Sequence, residues 1–315
     1  MTLLDEGARK ALIDAMGTDG EVRFDEPMSR HTTLRIGGPV DAWVMPTHYQ
    51  VLANVRTAMH ARGIPTFGIG SGSNLLVRDG GLRGVAINLR HMAQVARLTD
   101  VDEDGANVWV EAGAATGRVL AYATIEELGG VEFLGGVPGT VGGGLVMNAG
   151  TYLGEWKDVT TRVFSIDSAG HTIVREAAAC GFGYRTSSLP ADEIVTHARL
   201  RLPHRPRLEI QTVVRELRDR RKAREPSAVP NSGSTFKNPT GEFAGRLIEA
   251  CGLKGTRVGG CEVSPVHANW LVNADRGTAR ELLALIELVR AAVVERSGVR
   301  LELEVKVIGE EGEVP

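Results

Sequence analysis

Three cysteines, Cys180, Cys251 and Cys261, are all that the 315 residues hold. Their odd number and wide spacing exclude a disulfide framework and point to reduced thiols in a cytoplasmic protein. Cys251 and Cys261 are not in CxxC spacing, and the eight histidines form no HxxxH or HExxH, so no metal site is expected. Charge of one sign is also missing: 36 basic against 39 acidic residues leave a net charge of −3. No basic stretch is interleaved with aromatics, which argues against nucleic acid as a partner. The most basic run, RELRDRRKAR over 215–224, reads as a solvated helix face, with an anion-facing role for one or two arginines left open. No apolar run approaches a membrane span, and MTLLDEGARKALIDAMG lacks a signal-peptide core, so neither membrane association nor export is expected. Complete phosphate motifs are absent too. GIGSGSN over 68–74 lacks the third glycine of GxGxxG, and no Gly-Lys-Ser/Thr follows it.

Glycine is abundant, with 39 residues, and concentrated. Gly135–Gly150 reads GGVPGTVGGGLVMNAG, seven glycines in sixteen residues. Such a run cannot offset its ordering entropy by side-chain packing. A flexible linker would be padded with serine and charge; here Phe133, Leu134, Val137, Val141, Leu145, Val146 and Met147 are interleaved. The stretch reads as a buried loop that holds a ligand against bare backbone, its N–H groups cradling an anion. A second loop, Gly70-Ser71-Gly72-Ser73-Asn74, follows a strand over Thr66–Ile69. Its amides, two hydroxyls and carboxamide suit a pyrophosphate; as a plain strand-to-strand turn it would be equally ordinary.

Around these loops the pattern is mixed α and β. A helix is expected within residues 1–20, a turn at Gly37-Gly38-Pro39 and a strand at Asp41–Met45. Thr47–Gln50 reads as a capping box opening a helix with Leu52, Val55 and Met59 inward. Strands are expected at Leu75–Val77, Gly84–Leu89, Val108–Ala112, Thr161–Asp167, His171–Glu176 and Ile194–Leu202. Thr116 is read as opening a helix to Leu128, and Cys180–Leu189 as an irregular loop. Pro203-His204-Arg205-Pro206 marks a boundary. Beyond it come helices at Ile210–Arg224 and Phe243–Cys251, and a strand at Asn269–Val272. A second capping box at Thr278–Glu281 opens a long helix. The last strand, Leu301–Ile308, alternates apolar and charged residues.

Taken together, eight stretches resemble one family. They are HTTLRIGGPVD (31–41), GIGSGSNLLVRDGG (68–81), FLGGVPGTVGGGLVMNAGTYLGE (133–155), GYRTSSL (183–189), GSTFKNP (233–239), AGRLIEACGLKG (244–255), SPVHANWLVN (264–273) and LELEVKVIG (301–309). In this order they resemble the UDP-N-acetylenolpyruvoylglucosamine reductases, flavoenzymes of bacterial peptidoglycan precursor synthesis. The resemblance implies an α+β fold. Residues 1–91 and 92–204 would be two FAD-binding subdomains of the vanillyl-alcohol oxidase (PCMH) type, and 205–315 a C-terminal α+β substrate-binding domain. The short segment Leu189–Glu193 resembles the family type that lacks an inserted tyrosine loop. Cys261, and Trp270 in place of a smaller aromatic, depart from the pattern and touch only substrate-domain packing.

The implied reaction reduces an enolpyruvyl ether, UDP-N-acetylglucosamine enolpyruvate, to a lactyl ether. NADPH delivers hydride to FAD, and the flavin N5 passes it to the substrate's C3. C2 then takes a proton, and charge grows on the carboxylate, so the site needs a proton donor and a donor cluster. By resemblance Ser234 is the proton donor, not the nearby Ser232. Arg185 contacts the carboxylate, which a guanidinium fork suits. Glu304, with Glu302 two residues away as competitor, is the carboxylate of the final strand, effective if protonated or hydrogen-bonded. Tyr184, Lys237 and Asn238 are assigned to substrate; Lys237, Arg246, Lys254 and Arg257 remain unranked for the diphosphate. For FAD the assignment is Arg35; Gly70, Ser71, Gly72, Ser73 and Asn74; and Gly135, Val137, Pro138, Gly139, Gly142, Gly143, Asn148, Ala149 and Gly150. Neither loop contains His or Cys, so FAD is expected to be non-covalent. The alternatives are another FAD-dependent oxidoreductase of the same fold, or a non-catalytic nucleotide-binding module.

Overall fold

Leu4, Ala8, Leu12 and Met16 recur at helical spacing and are all buried. The computed structural model, which describes residues 3–226 and 228–312, places the last three on helix α1 (Glu6–Met16), capped where the Asp5 side chain accepts from the Ala8 amide at 2.7 Å. In chain order there follow β1 (Gly20–Pro27), β2 (Pro39–Pro46), α2 (Tyr49–His60), β3 (Thr66–Gly68), β4 (Leu75–Val77), β5 (Leu82–Ile87), β6 (Val95–Asp102) and β7 (Gly105–Glu111). Helices α3 (Thr116–Ile125) and α4 (Val141–Val146) lead to β8 (Gly150–Thr151), β9 (Gly154–Glu155), β10 (Thr160–Ile166), β11 (Thr172–Glu176) and β12 (Ile194–Pro203). Then come α5 (Arg207–Arg224), α6 (Ala244–Ala250), β13 (Arg257–Val258), β14 (Cys261–Val263), β15 (Leu271–Asn273), α7 (Ala279–Ser297) and β16 (Lys306–Ile308).

The chain divides into two compact units. Unit 1 comprises residues 1–24, 41–71 and 84–219; unit 2 comprises 25–40, 72–83 and 220–315. Unit 1 holds a five-stranded antiparallel sheet, order β11-β10-β12-β7-β6, and most of a four-stranded sheet, order β1-β2-β5-β3. Helix α5 stays with unit 1 through most of its length because Ile210 and Val214 join that core. Unit 2 pairs β4 with β16 in parallel and carries the β13-β14-β15 meander. Its core is lined by one face of α7, from Leu282, Leu285 and Ile286 to Val289 and Val293. Asp79 accepts from the Ala279 and Arg280 amides at 2.8 and 2.9 Å, and the Thr278/Glu281 capping box forms as the sequence suggests. The N-terminus of α7 is thus fully paired.

Several local expectations change. Thr47 caps nothing: α2 starts after His48, and the Thr47 hydroxyl donates to the Asp19 carbonyl at 2.9 Å. Thr116 does not cap α3; its hydroxyl donates to the Val137 carbonyl at 2.6 Å, tying α3 to the glycine stretch. The last strand shrinks to Lys306–Ile308, because Glu302 and Glu304 pair their backbones with residues 235–237 and leave Leu303 in an isolated bridge to Phe236. Strands β1, β6, β8, β9, β13 and β14 were not anticipated.

On the five-stranded sheet, His197 stacks on Trp109 at 3.7 Å and on Phe164 at 4.1 Å, and its buried Nε2 has no hydrogen-bond partner among the described residues. Burial brings the imidazole pKa down to about 4. The unfolded chain therefore binds this proton at a higher pH than the folded one, so the stabilisation is complete above pH ~6.5 and is lost as pH falls towards 4. His197→Phe keeps the stack and removes the titration. The wild type's melting temperature is expected to fall more steeply than the variant's between pH 6.5 and 4, and parallel curves would refute the assignment.

Candidate active site

The glycine stretch is not a loop throughout. After a turn at Gly136, where φ is +82°, and Gly139, where φ is +146°, it forms the six-residue helix α4. Thr140 caps it, accepting from the Gly143 amide at 3.4 Å. One of its glycines is required by packing, since a β-carbon on Gly144 would lie only 2.2 Å from Trp156 Nε1; one on Gly142 would sit tightly, 3.1 Å from the Ala112 side chain. Gly135 is buried, and a β-carbon there would meet Leu217 and Val214 of α5 at 3.2 and 3.3 Å. Val137 and Gly139 hold Thr116 through their carbonyls, while Pro138 and Gly143 are exposed.

The second loop meets this helix. A β-carbon on Gly70 would lie 2.6 Å from Thr140 Oγ1, and Asn88 holds the Ile69 and Gly70 carbonyls at 2.8 and 2.9 Å. Ser71 is exposed. In unit 2, Gly72, at φ +64°, lies against the backbone of His31 and Thr32, and its carbonyl accepts from the Thr33 amide at 3.2 Å. Ser73 follows, half-buried. The amides of the buried Gly72 and of Asn74 donate to no acceptor among the described residues. Because buried N–H groups are nearly always paired, these amides suit an anionic ligand such as a cofactor phosphate. Arg35 is exposed, at φ +55°.

The end of the glycine stretch seats Arg185. Gly183 and Thr186 exchange backbone hydrogen bonds at 3.0 and 3.3 Å, so Tyr184 and Arg185 form the tip of a tight turn, Arg185 at φ +55°. The Val146 carbonyl accepts from Ser187 at 2.8 Å, Asn148 donates to the Gly183 carbonyl at 2.9 Å, and Arg185 donates to the Gly150 carbonyl at 2.8 Å. The Arg185 guanidinium lies 5.0 Å over the Tyr184 ring and 4.0 Å from Glu155. Asn148 is wholly buried at φ +41°, its side chain fully engaged with Glu155, Gly183 and Lys157. Ala149 accepts from the Trp156 amide through its carbonyl, and Gly150 packs on Gly154. Among the described residues, three of the six non-glycine residues at positive φ are Arg35, Asn148 and Arg185; such conformations persist where the surroundings over-determine them, commonly at functional sites.

In unit 2, Ser234, Asn238, Arg246, Glu249, His267 and Asn269 line a cavity of about 320 Å³. The Ser234 hydroxyl makes no hydrogen bond to the described residues. Its loop is pinned by Asn269, whose side chain accepts from the Phe236 amide at 3.0 Å and donates to the Phe236 carbonyl at 2.8 Å. The Glu304 amide donates to the Thr235 carbonyl at 2.9 Å, which sets Glu304 beside the serine loop, and the Glu304 carbonyl accepts from Asn74 at 3.1 Å. Glu302, the competitor, is more exposed and faces Lys237 at 3.9 Å. Asn238 caps α6 through Ala244 at 3.1 Å. Arg246, Lys254 and Arg257 each already face a carboxylate, of Glu242, Glu249 and Glu262. The sequence reading missed His267: burial, then Lys254, lowers its pKa, and its Nδ1 accepts from the Asn269 amide at 3.2 Å, leaving Nε2 as the donor of the neutral ring. It also missed Glu155, Asn269 and Asn273.

Residues 40–175 match the FAD binding domain family, which defines a flavoprotein with FAD as cofactor. Residues 225–308 match the C-terminal domain of UDP-N-acetylenolpyruvoylglucosamine reductase. The chain belongs to the UDP-N-acetylenolpyruvoylglucosamine reductase family. It is 44% identical over 310 residues to the reductase of that name from Anaeromyxobacter dehalogenans (strain 2CP-C), covering 98% of this chain and 90% of the relative. It is 42% identical over 292 residues to that of Geobacter sulfurreducens, covering 93% and 95%. The crystal structure of the reductase from Thermus caldophilus superposes with a TM-score of 0.76 at 36% identity, covering 91% of this chain and 98% of that one. No helix among the described residues is long and apolar enough to cross a membrane, and no His/Cys/Asp/Glu group there could hold a metal.

The Gly144 contact carries a direct expectation. Gly144→Ala drives a β-carbon into the Trp156 indole and should cost roughly 3 kcal/mol of stability. Gly143→Ala, exposed and nearest Thr140 Oγ1 at 3.6 Å, should stay near wild type. Urea unfolding midpoints of the two variants decide it; equal midpoints would refute the packing account.

Proposed function

We propose that the chain reduces UDP-N-acetylglucosamine enolpyruvate to UDP-N-acetylmuramate at the expense of NADPH, for peptidoglycan precursor synthesis. The observation that carries this reading is the Ser234 loop: a hydroxyl with no hydrogen-bond partner among the described residues on a 320 Å³ cavity, its loop clasped by the backbone of Glu304. The two glycine loops would hold FAD, which when bound would supply the hydride-transfer chemistry linking NADPH to the substrate. Arg185 holds the substrate carboxylate and stabilises the charge that gathers there as hydride arrives. Ser234 gives its proton to the adjacent carbon. A serine hydroxyl is a weak acid, but a carbanion-like carbon is a far stronger base, and a half-buried site keeps water from competing. Glu304 polarises the same region. Tyr184, Lys237 and Asn238 line the approach of the rest of the substrate.

Purified protein should oxidise NADPH only when the enolpyruvyl substrate is added; absence of substrate-dependent turnover would return the chain to a nucleotide-binding role. Ser234→Ala should lower substrate reduction by roughly 10²–10⁴-fold while flavin reduction by NADPH proceeds, since only the second half-reaction places a proton on carbon. Equal slowing of both half-reactions would remove Ser234 from that role. FAD should be non-covalent: acid precipitation should leave the yellow colour in the supernatant, and a yellow pellet would contradict it.

A further inference from the structure

Arg185 is the one proposed catalytic group that reaches its place through a strained backbone and a long side chain. Its side chain is only 17% exposed, and a cation that far out of water needs a counter-charge or a full set of acceptors. The Gly150 carbonyl takes one end of the guanidinium at 2.8 Å. The carboxylate facing it is Glu155, whose Oε1 lies 4.0 Å from the other end. Glu155 is itself fixed. Asn148 Nδ2 donates to its Oε2 at 2.6 Å, Lys157 approaches the same oxygen at 3.0 Å, and the carboxylate accepts the Asp158 amide in a capping box. The same Asn148 nitrogen donates to the Gly183 carbonyl at 2.9 Å. One buried amide therefore sets both the backbone that carries Arg185 and the carboxylate that faces its charge.

We propose that Glu155, held by Asn148, is a positioning residue for Arg185: it fixes the plane of the guanidinium so that the fork meets the substrate carboxylate in two-point geometry. The inference rests on the assignment of that carboxylate to Arg185. Glu155 touches no reacting atom. Its charge keeps the arginine oriented and partly neutralised until the substrate's anion arrives, and the 4.0 Å gap leaves the pair loose enough for the substrate to take over the N–H groups.

Capping the 156–158 turn is the competing role, and a double-mutant cycle on the FAD-loaded enzyme separates the two. Glu155→Gln preserves shape and a capping oxygen but removes the charge. With kcat and KM for the enolpyruvyl substrate measured per bound flavin, Glu155→Gln should lower kcat/KM by about 10–100-fold, the scale of a misplaced binding group. In an Arg185→Ala background the same change should cost less than about twofold, because Glu155 acts only through the arginine. A purely structural Glu155 would lower flavin retention and melting temperature in both backgrounds and leave kcat/KM per flavin unchanged; that result, or a full loss repeated in the Arg185→Ala background, overturns the proposal. If Arg185→Ala itself keeps wild-type turnover, the carboxylate assignment fails first, and with it this inference. Should Glu155→Gln retain too little flavin, Glu155→Asp, which keeps the charge but withdraws it by one methylene, is read in the same cycle with the same criteria.

Discussion

A missing β-carbon governs the arrangement of unit 1. At Gly144 the helix backbone lies so close to Trp156 that any side chain would collide with the indole, and at Gly142 a β-carbon would sit tightly against Ala112 just beyond β7. Glycine lowers helix propensity by about 1 kcal/mol per residue, so VGGGLV would not form a helix on its own account. Close approach offsets that loss: Val141 and Leu145 reach full burial, and the Val141 and Gly142 amides pair with the Ala114 and Ala112 carbonyls. Once α4 is fixed, its start abuts Gly70 and its end presents Val146, Asn148 and Gly150 to the Arg185 turn. The two ends of one short helix thus meet the Gly70 loop and the Arg185 turn.

This geometry explains how much was legible in the sequence. Glycine density and interleaved apolar residues marked residues 135–150 as buried and tightly approached, yet did not reveal a helix, because the stabilising contacts are with residues far along the chain. The same limit separates the two capping boxes. Thr278 and Glu281 cap locally and form as read. Thr47 and Thr116 carry the same local signal, but their hydroxyls are taken by the Asp19 and Val137 carbonyls. The amphipathic stretches were read well, since α2, α5 and α7 bury the faces their spacing implies. The alternation of 301–308 promised a long strand, but the backbone of Glu302 and Glu304 pairs with the serine loop instead. The interleaving of the two units has no local signal at all.

Ser234, Arg185 and Glu304 became visible through motif resemblance, and the structure supplies what the motifs leave out, namely how irregular segments hold still. None of the three lies within a helix or strand, so no ladder of backbone hydrogen bonds fixes them. Asparagine takes over that work. Its carboxamide carries both an acceptor and donors, as a peptide group does, and can complete the pairing of a backbone that has no neighbouring strand.

Five such side chains pin loops in this way, Asn88 and Asn148 in unit 1 and Asn74, Asn269 and Asn273 in unit 2. Asn88 holds the carbonyls of Ile69 and Gly70. Asn74 holds that of Glu304, and Asn148 that of Gly183. Asn269 takes both the amide and the carbonyl of Phe236, and Asn273 joins the Leu34 carbonyl, next to Arg35, to the Gly277 amide. Four of them are nearly or wholly buried, Asn74 being the half-exposed exception, and a buried carboxamide that lost one of these partners would carry an unmet desolvation cost of about 1–3 kcal/mol. That cost makes each pin selective, because the loop must adopt the one conformation that satisfies it. The loops can then carry polar and strained residues without an extended hydrophobic core of their own. The irregular segments therefore hold their conformation through a set of carboxamides that pair mostly with backbone.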